Sequence, residues 1–311
     1  MKPQKNLLLI SLLICSFALS SVLSSCSSSF MVIDSPKTMP PPRKLDKKPR
    51  VALVLGGGAF LGMAHLGALK VFEENNIPID LIVGTSVGSF VGAMYANNPN
   101  SDSLRVLASK VKAEEIFNAS IFNSMVGFVT GENLQDYIKA HIKIKNIEQL
   151  KIPFVAITSD LLSGKTIALS SGPIAPSVNS SCAIPMVFDP VKMYGMVLVD
   201  GGVWNNVAVN IAKEYNPDVV IAINLMSVLP SVKAEDIKTF IDVLRRGGQV
   251  NAINIGNHNA SLADVTLNPK VDQFPPLSDA YDKQIYDAGY TAAKEKIEEI
   301  KKVISEKVKN D

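Results

Sequence analysis

The chain has 311 residues, 47% hydrophobic and 19% charged, which is enough apolar material for one large core or two small ones and excludes a disordered chain. Lys and Arg number 31 against 29 Asp and Glu, a net of +2, so nucleic acid has no electrostatic footprint to bind. Three cysteines are too few for a disulfide-held scaffold.

The N-terminus carries Lys2 and Lys5, an apolar run from Leu7 to Leu19, and a small-residue stretch ending Leu23-Ser24-Ser25-Cys26. This is the order of a secretory signal, and the run is too short to span a bilayer comfortably. Leu23-Ser24-Ser25-Cys26 resembles the lipobox of bacterial lipoproteins, whereas Cys15 follows the bulky Ile14 and fits less well. The resemblance implies a signal peptide over residues 1–25 and acyl chains such as palmitate on Cys26, a membrane anchor in the bacterial cell envelope. Ser27, in place of a retaining aspartate, points to the outer membrane, facing the periplasm. Residues 1–25 hold two lysines and no acids, so the mature chain has 29 basic and 29 acidic residues. Cys182 is then left without a disulfide partner.

Residues 26–49 read as a tether: a serine run, then Pro36, Pro40, Pro41 and Pro42, then Arg43, Lys44, Lys47 and Lys48. The folded domain, residues 50–311, begins with Val51–Leu55, a continuous apolar run suited to a strand buried on both faces of a parallel sheet. A glycine loop at Gly56 to Gly62 and a helix to about Glu74 follow. Leu81 to Val83 is the next strand, Gly84-Thr85-Ser86-Val87-Gly88 a tight turn, and Ser89 to Tyr95 a helix of small residues. This βαβα opening predicts an α/β domain. From Ser101 to His141 the pattern is helical, broken at Gly127 and Gly131, and residues 118–131 suit either core packing or an apolar flap over a lipid cleft. Strands are expected at 153–159, 165–169, 196–199, 219–224 and 263–267. Helices are expected at 173–182, 209–214, 236–254 and 278–307, the last amphipathic.

Ser86 in G-x-S-x-G sits where a strained elbow would lift its hydroxyl to a helix N-terminus, and is the candidate nucleophile. It needs a base and oxyanion donors. Gly57 and Gly58, with Gly56 and Ala59 of the same loop, offer backbone amides one βα unit upstream. Gly56-x-Gly58-x-x-x-Gly62 also resembles a dinucleotide loop, but the acid at the fitting distance, Asp80, begins its strand rather than ending it. For the base, Ser86-Asp200-His258 is formally a hydrolase triad; His65 and His141 are the other histidines. Gly201 and Gly202 after Asp200 would instead let that turn press on the elbow and bring Asp200 directly to Ser86. A carboxylate can serve as base where burial raises its pKa.

GGGAFLG (Gly56 to Gly62), GTSVG (Gly84 to Gly88) and DGG (Asp200 to Gly202) together, with SSCAIPMVFDPV before the aspartate, resemble the patatin-like phospholipases over roughly Arg50 to Leu225. The resemblance implies a three-layer α/β/α domain with a mostly parallel central sheet. It further implies a Ser86-Asp200 dyad acting through an acyl-enzyme on lipid acyl esters, in phospholipase A or lysophospholipase fashion, without cofactor or metal. Gly84, Gly88, Gly201 and Gly202 carry the motifs. Leu61 departs from the pattern, since many members have Arg there. Cys182 stands where a small Ala or Ser is common and reads as packing, with a thiol nucleophile as the alternative. A non-catalytic lipid-binding or scaffold lipoprotein is the reading from another class. No protein partner is named by the sequence.

Overall fold

The computed structural model describes residues 31–111 and 129–308. The described strands are β1 (Met31–Val32), β2 (Val51–Leu55), β3 (Leu81–Thr85), β4 (Phe154–Asp160), β5 (Lys165–Leu169), β6 (Val191–Met193), β7 (Met196–Asp200), β8 (Val219–Ile223) and β9 (Val265–Leu267). They join in one sheet of order β1-β6-β7-β4-β3-β2-β8-β9, with β5 paired to β4 off that path. The centre, β4-β3-β2-β8-β9, is parallel, while β7 runs antiparallel to β4 and β6, and β5 antiparallel to β4. The helices are α1 (Met63–Glu74), α2 (Val87–Asn97), α3 (Ser101–Ala108), α4 (Glu132–His141), α5 (Ile174–Ser181), α6 (Val209–Glu214), α7 (Phe240–Ala260) and α8 (Asp282–Lys307).

The apolar run of β2 shows why there are three layers. Successive side chains of a strand point to opposite faces, so a strand without polar residues must be covered on both. Val51, Leu53 and Leu55 enter a core built with α1, α2 and α8. Ala52 and Val54 enter a second core with Val155, Ile157 and the Val209, Ile211 and Ala212 side chains of α6. The domain is a three-layer α/β/α fold around a mostly parallel sheet, as the resemblance implied.

Register then decides where the functional segments meet. β5 pairs with β4 across Ala156 to Asp160, so β5 occupies one edge of β4 along that length. The other edge is shared: β3 pairs with Phe154 to Ile157, and β7, running the opposite way, with Thr158 to Asp160. Thr85 ends opposite Ile157 and Asp200 ends opposite Thr158, on neighbouring residues of β4. Two strands thus run head to head, and their C-termini deliver Ser86 and Asp200 to one point.

Differences from the sequence reading are local. Within the predicted tether, Met31–Val32 pairs with β6, Ile33 N–H donates to Lys192 O (3.0 Å), Arg43 N–H donates to Ser170 Oγ (2.9 Å), and the Ser171 hydroxyl donates to Pro41 O (2.9 Å). Residues 31–43 therefore lie along the domain, because the open edge of β6 offers backbone groups that an extended segment satisfies. Helix α7 starts at Phe240 rather than 236, where Thr239 and Asp242 form a reciprocal capping box. The cleavage site, Cys26 and most of the expected flap 118–131 lie outside the described residues. Of that flap, Val129 bridges Phe188.

Candidate active site

Ser86 ends β3 and caps α2, with φ 54° and ψ −125°. A non-glycine residue there costs of order 1–3 kcal/mol and persists only where its surroundings over-determine it. They do so here. A Cβ on Gly88 would lie 2.1 Å from Leu55 O, and one on Gly84 2.4 Å from Gly88 O, so only glycine lets the elbow close. Ser86 N–H donates to Ser181 Oγ (2.9 Å), whose hydroxyl donates to Ile157 O (2.5 Å).

Asp200 is buried at the end of β7, its own N–H donating to Ala183 O (2.9 Å). Gly202 N–H donates to Oδ1 at 2.6 Å, while Oδ2 is buried without a hydrogen-bond partner among the described residues. Burial raises the Asp200 pKa to about 6, against the opposing pull of the neighbouring Ser86 hydroxyl and the Gly202 amide. The hydroxyl therefore lies beside the carboxyl without closing a bond to Oδ2. Gly201 lets the turn lie flat on β4: a Cβ there would sit 2.4 Å from Ile157 O. That one carbonyl touches the Asp200 turn and, through Ser181, the elbow.

The glycine loop corrects part of the expected oxyanion assignment. Gly56 N–H donates to Ile223 O (3.0 Å) and Gly57 N–H to Asn206 O (3.2 Å), so these two amides are already engaged. Among the described residues the amides of Gly58, Ala59 and Val87 donate to no protein acceptor and remain available for a developing anion. Gly57 matters instead for lacking a side chain, since a Cβ would fall 3.1 Å from Ser86 Cβ and 2.5 Å from Asn206 Oδ1. Asn206 was not singled out from sequence. Its Nδ2 reaches Gly57 O at 3.5 Å, and its Oδ1 lies 2.9 Å from where a Gly202 Cβ would stand. It clamps the glycine loop to the Asp200 turn. The available signal was two buried amides, Asn205 and Asn206, directly before the apolar run at Val207. Leu61, which departs from the Arg that the resemblance would put there, is buried in the core and holds the loop by packing.

None of the other candidates is hydrogen-bonded to Ser86 among the described residues, although Cys182 lines the same cleft. His258 is exposed on α7 and bonds neither Ser86 nor Asp200, so the Ser86-Asp200-His258 triad is not assembled. His65 is fully buried, donates from Nε2 to Gly56 O (2.8 Å), and is held neutral by burial, with its pKa lowered to about 4. His141 bonds Tyr137 O at 2.8 Å. Burial, then the Asp200 charge, pushes the Cys182 thiol well up, which suits packing and opposes a thiolate nucleophile. Asp80 pairs with Arg50 (3.0 Å) at the far end of its strand, away from the glycine loop. Among the described residues no group of His, Cys, Asp or Glu is arranged to hold a metal.

Ser86 opens into an apolar cleft lined by Phe60, Met63, Leu66, Phe90, Ile184 and Phe188. The strained serine, with Ala59 and Val87, thus lines a cleft suited to hydrocarbon, and the buried Asp200 carboxyl of raised pKa lies beside the serine. The model of the patatin-like phospholipase family matches residues 53–213, more than half of the chain. The chain belongs to the patatin-like phospholipase family. It is similar to Lysophospholipase nte1 of Aspergillus fumigatus, 28% identical over 278 residues that cover 81% of this chain and 18% of the relative. An uncharacterized NTE family protein of Mycobacterium tuberculosis is 32% identical over 193 residues, 60% of this chain and 53% of the relative. This patatin-like chain thus spans a minor part of the first and about half of the second. Among solved structures, VipD from Legionella pneumophila aligns with a TM-score of 0.40 at 10% identity, covering 92% of this chain and 73% of that one.

Proposed function

We propose that the chain is a membrane-anchored serine acyl hydrolase of phospholipids or lysophospholipids, working through a Ser86-Asp200 dyad. Ser86 Oγ attacks the ester carbonyl as its proton passes to Asp200 Oδ2, and the carbonyl oxygen becomes an anion facing the Gly58 and Ala59 amides. The C–O bond to the alcohol then breaks, and Asp200 returns the proton to the leaving oxygen. Water repeats the sequence on the acyl-enzyme, giving up a proton to Asp200 as it attacks; the free fatty acid departs and Ser86 Oγ regains its proton. The observation that carries this reading is the buried Asp200 carboxyl beside the strained Ser86, its pKa near the range where a base works best and one oxygen fixed by Gly202. The lysophospholipase name of one relative and the apolar lining of the cleft favour a long acyl chain.

In this reading Cys26 carries the lipid anchor, in the outer membrane facing the periplasm. The dyad is tested with a fluorophosphonate probe and an ester substrate. Ser86→Ala and Asp200→Asn are each expected to lose labelling or turnover by at least a thousandfold in folded protein. Full activity of folded Asp200→Asn would remove Asp200 as the base; loss in folded His258→Ala as well as in Asp200→Asn would favour the Ser86-Asp200-His258 triad instead.

A further inference from the structure

We propose that the loop after β8 and the first turns of α7 form a docking surface for a zwitterionic phospholipid bilayer, seating the cleft on the membrane. The proposal rests on the lipid-hydrolase reading above and adds the surface through which substrate is reached. Helix α7 is amphipathic the wrong way round for a soluble domain. Phe240 is 76% exposed, Ile241 63%, Val243 56% and Leu244 49%. At 100° per residue these four share an arc of roughly 160°. Asp242, Arg245 and Arg246 take the other side, and Arg246 ties back to the preceding loop by donating to Pro230 O at 2.9 Å. That loop exposes Val228, Leu229, Val232 and Ile237 as well. Contiguous exposed apolar surface of this kind marks an interaction site.

Two links place the surface beside Ser86. β8 and β2 are parallel neighbours, so the loop after β8 leaves the sheet at the edge where the glycine loop leaves β2. Leu225, at its start, packs on Gly58, 3.0 Å from where a Cβ would stand. Asn251 of α7 donates to Val203 O (3.4 Å), just past the Asp200 turn. The chemistry fits a bilayer. In the chain the apolar tip is flanked by Lys233, Lys238 and Arg245, and Trp204 is exposed beside the Val203 contact of α7, side chains suited to the headgroup level. Acids offset the bases: Glu235 lies 4.0 Å from Lys233, and Asp236 and Asp242 accept local backbone bonds. A zwitterionic surface is therefore favoured over an anionic one.

The test uses the full chain on phosphatidylcholine vesicles. Trp204→Phe removes the single tryptophan, and Phe240→Trp in that background puts one reporter on the surface. Acyl-brominated phosphatidylcholine should quench it by half or more at both low and high salt. A Lys213→Trp reporter, at the opposite end of the sheet, should stay unquenched. Phe240→Ser with Ile241→Ser should lower hydrolysis of vesicle phosphatidylcholine at least tenfold and leave a water-soluble butyrate ester unaffected. The idea is overturned by absent quenching, by equal quenching of both reporters, by parallel loss of both activities, or by a sedimenting dimer that the serine variant dissociates. If the unmodified chain hydrolyses neither substrate, the acyl-hydrolase reading fails, and quenching alone then decides the docking surface.

Discussion

Asp200 shows how far a single environment moves a residue from its ordinary chemistry. Its carboxyl is raised to about 6 mainly by burial, so above that pH the fold holds a charge it disfavours. The sign follows from linkage: a group whose folded pKa exceeds its unfolded value stabilises most below the unfolded value, and that stability is lost as pH rises through the folded one. At neutral pH the cost is about 3 kcal/mol, from roughly two pKa units at 1.36 kcal/mol each. Asp200→Asn is therefore expected to raise the melting temperature by several degrees at pH 8 and by about half as much at pH 5, the gain vanishing below about pH 4, while removing activity. In the unmodified enzyme kcat/KM should fall tenfold per pH unit below about pH 6; a flat profile from pH 5 to 8 would remove Asp200 as base. Asn206 acts at one remove. Asn206→Ala frees Gly57 from its side-chain clamp, and is expected to lower kcat ten- to a hundredfold with KM little changed, read on a soluble ester.

At the scale of elements, the sheet is covered by close helix contacts that depend on missing side chains. α1 and α8 cross where Gly67 faces Tyr286 O and Gly289 faces Ala64 O; a Cβ would come within 2.1 Å and 1.9 Å of these carbonyls. Arg105 of α3 lies 3.9 Å over the Tyr286 ring and holds the same crossing from outside. Gly289→Val must push α8 from α1, and over-packing of this kind costs about 1–3 kcal/mol or more. The expected result is a lower denaturant midpoint with unchanged kcat in the remaining folded protein. A kcat loss matching the stability loss would show that α8 positions the site. The elbow reuses this device at higher stakes, since Gly88 lies on Leu55 O directly below the nucleophile.

At the scale of the whole molecule, the expected anchor at Cys26 and the exposed face of α7 would hold one enzyme at a membrane by separate means. Cys26→Ser is expected to end labelling with a palmitate analogue and to move most of the protein out of the detergent-soluble membrane fraction; unchanged labelling would locate the lipid elsewhere. The βα order, the buried parallel strands and the three glycine motifs were legible in the amino-acid sequence, because apolar runs and tight turns are properties of adjacent residues. The sequence also pointed to Ser86 and Asp200, through the glycines beside them. That β3 and β7 meet head to head on β4 emerges in the fold alone, since pairing between segments tens of residues apart leaves no local trace. The same holds for the clamp by Asn206, for the engagement of the Gly56 and Gly57 amides, and for the exposure of His258. A side chain's chemistry can be read from its type. Its partners and its burial, which set the pKa and the free amides of this site, come from segments that only the fold brings together.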